Sequence, residues 1–305
     1  MNILILGHGY IGGYLHSHLT FGNTCKIFSR RDLDYTKQQT LVDYIIENKI
    51  DCVINASGYT GKPNVDACES DKQACWYNNV VVPKIIEQAC MQADIYRENK
   101  PRQIMYIHVS SGCIYTGYSK LSTENDEPNF GLYDRSSWYS KTKHAAETIL
   151  DLNYTTVLRI RMPFSSCLSN RNFIVKMLQY ENLVSYMNSM TCVEDLCEFV
   201  STMIDYRCCF PPTRDAHPVL AGIYNVVHST PTCAHDIVKL LQASGVSKNF
   251  KFVDLDKLNM KAPRSNCILS DFKIQSSNMK LPDINKSLEH AVSNVAKKYN
   301  QENIW

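Results

Sequence analysis

Tyr139-Ser140-Lys141-Thr142-Lys143 sets a phenol and an ammonium four residues apart, a spacing that puts both side chains on one face of a helix. A lysine ammonium beside a phenol favours the phenolate and brings the tyrosine toward the working range of a proton donor or acceptor. Lys143 is that partner, and Lys141 points elsewhere. Tyrosine and lysine at this distance are common by chance. The pair draws its weight from Ser110-Ser111-Gly112-Cys113-Ile114-Tyr115 upstream, where hydroxyls stand at the C-terminal end of an expected strand, the edge that faces the ligand crevice of an open α/β sheet.

A second chemical feature opens the chain. Gly7-x-Gly9-x-x-Gly12, with Tyr10 and Ile11 between the last two glycines, follows the aliphatic run Ile3-Leu4-Ile5-Leu6 and precedes Tyr14, Leu15 and Leu19 at helical spacing. Strand, glycine turn and helix in that order offer unpaired N–H groups and a positive dipole to a pyrophosphate; the plainer alternative is an ordinary tight turn. The second strand ends in Ser29-Arg30-Arg31, where an NAD-binding fold presents an acidic residue to the ribose. Two guanidiniums there suit a 2′-phosphate instead, so NADPH (NADP+) is favoured, with NADH still possible if Asp32 or Asp34 takes the ribose.

The elements that must position these groups alternate. Strands are expected at residues 3–6, 25–29, 52–55, 104–109 and 156–160, with helices at 41–48, 77–91 and 139–150 between them. Such alternation is the pattern of a doubly wound parallel sheet with right-handed crossovers, an α/β Rossmann-like fold. Past Pro163 the pattern loosens into helices near 173–179, 194–206 and 235–243 and from 287 onward, a strand at 222–227, and the Pro211-Pro212 stretch. Residues 1–163 are accordingly expected to bind NADP, and 164–305 to form a smaller, mainly substrate-binding region that returns some segments to the sheet.

Bulk properties place few constraints on partners. The chain has 305 residues, 44% hydrophobic and 20% charged, and a formal net charge of +2, which gives no global attraction to nucleic acid or a membrane surface. No apolar run approaches the ~20 residues that span a bilayer. The N-terminus lacks a charged n-region and apolar h-region, so a cytoplasmic, reducing location is expected. The thirteen cysteines include no Cys-x-x-Cys pair, and Cys208-Cys209 are adjacent. They read as small buried hydrophobes rather than as disulfides or metal ligands, and no metal is expected.

Further strings carry a family likeness: Asn55-Ala56-Ser57-Gly58, Lys62-Pro63-Asn64-Val65-Asp66, Cys113-Ile114, Arg161-Met162-Pro163, Arg171-Asn172-Phe173-Ile174, Asn188-Ser189-Met190-Thr191 and Ala262-Pro263-Arg264-Ser265-Asn266. With Ser/Thr at the end of the fourth strand and Tyr-x-x-x-Lys, the chain resembles the extended short-chain dehydrogenase/reductases. Among these it resembles most the bifunctional 3,5-epimerase/4-reductases that make UDP-L-rhamnose in plants and some large viruses. It resembles more distantly dTDP-4-dehydrorhamnose reductase and GDP-fucose synthase. The glycine turn is one residue shorter than the family's Gly-x-x-Gly-x-x-Gly, and the Asp-Glu pair of the related dehydratases is replaced by Gly112 and Cys113, which argues against dehydration.

The resemblance implies NADPH-dependent conversion of UDP-4-keto-6-deoxy-D-glucose to UDP-L-rhamnose. Inverting C3 and C5 beside a C4 ketone needs an acid and a base on opposite ring faces and donors at O4. The family pattern gives the first two roles to Cys113 and Lys176 and the O4 donors to Ser111 and Tyr139, with Lys143 orienting the nicotinamide ribose. It also implies nucleotide-sugar contacts from Asn172, Met190, Thr191 and Arg264, cofactor contacts from Asn55, Ala56, Ser57 and Asn79, and a homodimer through helices 77–91 and 139–150. Composition alone would make Cys113 a small buried residue, Lys176 a solvated lysine, Arg264 a surface arginine, and Asn55 and Asn79 mere caps. Two other functions fit the same motifs: a 4-reductase fed by a separate epimerase, and a non-catalytic NADP-binding regulatory subunit. The intact set Ser111, Tyr139 and Lys143 argues against the latter.

Overall fold

Four runs of aliphatic residues are buried on both faces and fix the centre of the molecule. A computed structural model describes residues 1–62, 64–97, 102–209, 220–277 and 279–302; Pro63 and the Pro211-Pro212 stretch lie outside them. In chain order the elements are β1 (Asn2–Leu6), α1 (Tyr10–Leu19), β2 (Thr24–Phe28), α2 (Gln38–Glu47), β3 (Cys52–Asn55), α3 (Ala67–Ser70), α4 (Lys72–Trp76), α5 (Val82–Tyr96) and β4 (Met105–Ser111). They continue with β5 (Gly117–Ser122), α6 (Trp138–Ile149), β6 (Thr155–Ile160), α7 (Phe173–Gln179), β7 (Asn182–Leu183), α8 (Val193–Cys209) and β8 (Gly222–Asn225). The last are α9 (Ala234–Ala243), β9 (Lys251–Phe252), β10 (Cys267–Leu269), α10 (Phe272–Gln275) and α11 (Ile284–Glu302).

Six strands form one parallel sheet in the order β2-β1-β3-β4-β6-β8. Continuous apolar strands such as β1, β3 and β4 are the mark of a parallel sheet covered on both sides. Alternate residues of β1 serve the two faces. Ile3 and Ile5 pack with Leu15 and Leu19 of α1 and Leu196, Val200 and Met203 of α8, whereas Leu4 and Leu6 pack with Leu41 and Ile45 of α2 and Ile86 and Ala89 of α5. A separate apolar cluster, with Ile174 and Leu178 of α7, Ile237 and Leu241 of α9, and Leu288 and Val292 of α11, lies in the C-terminal half.

The doubly wound α/β expectation is met, and two details differ from the sequence reading. The helix expected at 77–91 starts earlier, because a π turn at Tyr77–Val81 joins α4 to α5 without interruption. The small strand β5, exposed over most of its length, pairs with β10; its polar residues hid it from a search for apolar runs. Sheet growth reverses between β1 and β3, and ligands of such sheets bind beyond the strand ends at that switch point. The described cysteines are free thiols, and Cys52, Cys68, Cys75, Cys90, Cys192, Cys197 and Cys267 are buried.

Candidate active site

The glycine turn lies at the switch point and is packed too tightly for side chains at two positions. Gly7 has φ +105°, and a Cβ there would come within 2.6 Å of the Ser57 nitrogen; one at Gly12 would come within 2.0 Å of the Gly7 carbonyl. At Gly9 a Cβ would meet nothing within 4 Å, so the space above this turn is open. Gly9 is the N-cap of α1, supplies no capping side chain, and is followed by no acidic residue in the first turn. Free N–H groups facing an open cradle fit a dinucleotide pyrophosphate. Tyr10, in that first turn beside Ile11, donates its hydroxyl to Ser165 Oγ at 2.7 Å, tying the loop after β6 to the glycine turn.

At the end of β2, both acidic candidates for a ribose contact are engaged locally. Asp32 Oδ2 accepts from Ser29 N at 2.9 Å and Ser29 Oγ at 2.6 Å, contacts that hold its carboxyl below the usual range. Asp34 accepts from Thr36 Oγ1 at 2.6 Å. Arg30 and Arg31 remain exposed; Arg30 donates to Asn78 Oδ1 from the π turn. Arginines at this edge, with both carboxylates turned to their own loop, suit a 2′-phosphate.

Two of the expected cofactor contacts, Asn55 and Asn79, also fasten the framework. Asn55 is fully buried, accepts from Ser57 N at 3.0 Å and Ser57 Oγ at 2.6 Å, and reaches His108 Nδ1 at 3.2 Å. It therefore shapes the Asn55-Ala56-Ser57 turn that backs onto Gly7. Asn79, in the π turn and 1% exposed, accepts from Tyr59 N and donates to Tyr59 O and Thr142 Oγ1 at 2.7, 2.9 and 3.0 Å. It fastens the loop after β3 to α6.

The catalytic candidates meet where β4 ends and α6 begins. Ser137 caps α6, accepting from Ser140 N at 3.1 Å, and Ser140 Oγ donates to the Cys113 carbonyl at 2.7 Å. That contact docks the first turn of the helix on the Gly112–Ile114 turn. Ser111 Oγ accepts from Cys113 N at 3.2 Å and acts to lower the Tyr139 phenol. Lys143, 5% exposed, donates to the Val109 carbonyl at 3.3 Å; burial brings its ammonium down to about 8. Burial also pushes the Tyr139 phenol well above its ordinary value, the Cys113 sulfur adding to this and the Ser111 hydrogen bond opposing it. Burial thus acts against the lowering that the Tyr139/Lys143 spacing implies.

Across from this group, Asn172 caps α7 by accepting from Ile174 N at 3.0 Å and presents Lys176 one turn on. Burial lowers the Lys176 ammonium, as do the charges of Arg171 and Arg264, while the Cys113 sulfur acts in the opposite sense. Arg264 donates to Asp66 Oδ1 at 2.7 Å and the Ala262 carbonyl at 2.9 Å. Asn172, Met190 and Thr191 are buried; Asn172 Nδ2 donates to the Ser165 and Cys167 carbonyls at 2.7 and 2.8 Å. Thr191 Oγ1 donates to the Val226 carbonyl at 2.6 Å and accepts from Arg161 N at 3.0 Å. These side chains are turned into the fold, and what they hold is the segment 161–165.

Four residues not singled out as site residues stand out. Arg171 donates to Thr60 Oγ1 at 2.6 Å and the Gly61 carbonyl at 3.1 Å, linking the loop before α7 to the loop after β3. Glu147 and Arg159 form a buried pair at 2.7 Å, with Ser110 Oγ donating to Glu147 Oε1 at 2.5 Å. Arg161, 1% exposed, points a nitrogen at Cys113 Sγ, 3.6 Å away. The signal available in the sequence was the alternation of arginine with aliphatic residues at the end of β6 and just past it, Leu158-Arg159-Ile160-Arg161. Among the described residues no group of three or more His, Cys, Asp or Glu could hold a metal ion, and no helix is long and apolar enough to cross a membrane.

A doubly wound parallel sheet with a glycine turn at its switch point, Ser111 at the end of β4 and Tyr139 and Lys143 on α6 defines a short-chain dehydrogenase/reductase. More narrowly, the chain belongs to the family of the RmlD substrate binding domain, whose model matches residues 1–297. It is 34% identical over 309 residues to the bifunctional dTDP-4-dehydrorhamnose 3,5-epimerase/dTDP-4-dehydrorhamnose reductase of Arabidopsis thaliana, covering 94% of this chain and 91% of that one. Its fold is similar to that of the UDP-rhamnose synthase of Acanthamoeba polyphaga mimivirus, with TM-score 0.81 at 24% identity over 96% of this chain and 98% of that one. It is similar also to the dTDP-4-dehydrorhamnose reductase of Bacillus anthracis in complex with NADP, with TM-score 0.74 at 16% identity and 98% of both chains covered. The family is one of dTDP- or UDP-4-dehydrorhamnose reductases and UDP-rhamnose synthases.

Proposed function

We propose that this chain epimerises C3 and C5 of UDP-4-keto-6-deoxy-D-glucose and reduces the C4 ketone with NADPH, giving UDP-L-rhamnose. The observation that carries the reading is Cys113 on the turn beside Ser111, whose hydroxyl accepts from Cys113 N at 3.2 Å, with the charge of its sulfur acting to raise both the Lys176 ammonium and the Tyr139 phenol. An acid/base pair next to ketone donors is what inversion alpha to a carbonyl requires. The Arabidopsis relative carries both activities in its name.

In this reading Cys113 and Lys176 move protons on and off C3 and C5 from opposite ring faces, while Ser111 and Tyr139 donate hydrogen bonds to O4 and hold the charge that builds there. NADPH, when bound along the glycine turn with its 2′-phosphate at Arg30 and Arg31, supplies the hydride that reaches C4. Tyr139 gives its proton to O4, and the Lys143 ammonium orients the ribose. Residues 1–163 serve the cofactor and 164–305 chiefly the nucleotide-sugar. The exposed Trp76 and Tyr77, each 38% exposed and next to Trp138, support a homodimer that covers the start of α6.

A reductase acting alone is the second reading, because Ser111, Tyr139 and Lys143 suffice for carbonyl reduction. Cys113→Ala separates the two. Loss of C3 and C5 proton exchange with reduction of UDP-4-keto-L-rhamnose retained supports the bifunctional reading; a wild type that reduces that ketone yet exchanges no proton supports the reductase.

A further inference from the structure

Arg159 and Arg161 leave β6 two residues apart, both buried, but they are balanced differently. Arg159 is neutralised by Glu147 at 2.7 Å. Arg161 has no carboxylate within ion-pair distance among the described residues. Its guanidinium donates to Ser265 Oγ at 3.0 Å, the Ser265 carbonyl at 2.8 Å, Asn188 Oδ1 at 2.5 Å and Cys113 Sγ at 3.6 Å, and its Nε has no partner. A buried cation left without a counter-charge is costly, so a fold that keeps one has a use for it. Of its partners, only the Cys113 sulfur can itself become an anion.

The backbone holds this cation tightly. Arg161 N donates to Thr191 Oγ1 at 3.0 Å, and Thr191 N donates to the Arg161 carbonyl at 2.8 Å. The next residue, Met162, is kept at φ +40°, a region that side-chain-bearing residues enter only when their surroundings force them.

We infer that Arg161 is a positioning residue for Cys113: its guanidinium aims the sulfur and stabilises the negative charge that appears there whenever the thiol gives up its proton. This rests on the epimerase reading of Cys113. Arg161 then serves the epimerisation half of the reaction and not hydride transfer, and Met190-Thr191 contributes by holding Arg161.

Three full-length variants test it: Arg161→Gln, Arg161→Lys and Ser265→Ala. The first readout is the rate at which iodoacetamide alkylates Cys113 at neutral pH, followed by peptide mass, which needs no substrate. The second is the pH dependence of C3 and C5 proton exchange in UDP-4-keto-6-deoxyglucose; the third is reduction of UDP-4-keto-L-rhamnose. Arg161→Gln should slow alkylation and exchange about tenfold or more, roughly 1.4 kcal/mol, and move the exchange profile to higher pH. Arg161→Lys, which keeps charge but loses the fork, should fall between, and it decides the matter if the glutamine variant fails to fold. Ser265→Ala, which removes one acceptor of the Arg161 guanidinium but keeps the charge and the contact to the Ser265 carbonyl, should slow alkylation and exchange clearly less than Arg161→Gln, and reduction should stay within about twofold in all three. Wild-type alkylation rates in both arginine variants, or an equal loss in Ser265→Ala, would overturn the inference. Slow alkylation in Arg161→Gln together with no exchange by the wild type would instead overturn the epimerase reading and leave the coupling of Arg161 to Cys113 standing.

Discussion

Lys143 Nζ donates to the Val109 carbonyl at 3.3 Å, so the cation of the reductase group is anchored to the same strand that ends in Ser111. Burial brings its ammonium down to about 8. A lysine with a depressed value is charged below that pH and neutral above it. The kcat/KM for reduction should therefore hold steady through neutrality and decline as pH rises through about 8. A profile that stays flat to strongly alkaline pH would mean that the charge of Lys143 is not used.

In the proposed reaction Tyr139 gives its proton to O4. Tyr139→Phe should lower reduction by about a hundredfold to ten-thousandfold, the usual worth of a placed general acid, while NADPH fluorescence titration shows binding within severalfold of wild type. A variant that turns over normally would remove Tyr139 from the proton transfer.

Asp32 and Asp34 are engaged by Ser29 and Thr36, and Arg31 is exposed beside them. Arg31→Ala should raise KM for NADPH about tenfold, the loss of one charge-assisted contact, and leave KM for NADH nearly unchanged. Equal losses for both cofactors would show that the arginine does not meet a 2′-phosphate.

Among the described residues Glu147 is the sole carboxylate paired with Arg159, and both lie inside the fold. Glu147→Ala should cost about 3–5 kcal/mol in urea unfolding, the penalty for stranding a buried charge, while Glu147→Leu with Arg159→Met should recover much of it. A single variant within ~0.5 kcal/mol of wild type would show that water reaches the pair.

The chemistry was most legible where backbone geometry demands a residue type. Gly7 and Gly12 touch backbone that admits no Cβ, and β3 has the expected bounds because Cys52–Asn55 is buried throughout. Less legible was the direction of polar side chains. Asn55, Asn79 and Thr191 sit in motifs that adjoin ligands in sequence but spend their hydrogen bonds inside the fold, since loops at a switch point need internal fastening as much as the ligand needs contacts. Periodicity also passed over the π turn, because Tyr77–Val81 keeps the apolar pattern of a helix while widening its ladder. The approach of Arg161 to Cys113 joins residues 48 apart in sequence and depends on how β6 packs against the turn after β4.

The central claim is that one site performs both epimerisation and reduction. Purified protein with UDP-4-keto-6-deoxyglucose and NADPH in deuterated water, followed by NMR of the nucleotide-sugar, should give UDP-rhamnose with deuterium at C3 and C5 and NADPH consumed in step. Folded protein that oxidises NADPH with UDP-4-keto-L-rhamnose yet leaves C3 and C5 of the unepimerised substrate fully protiated would contradict it.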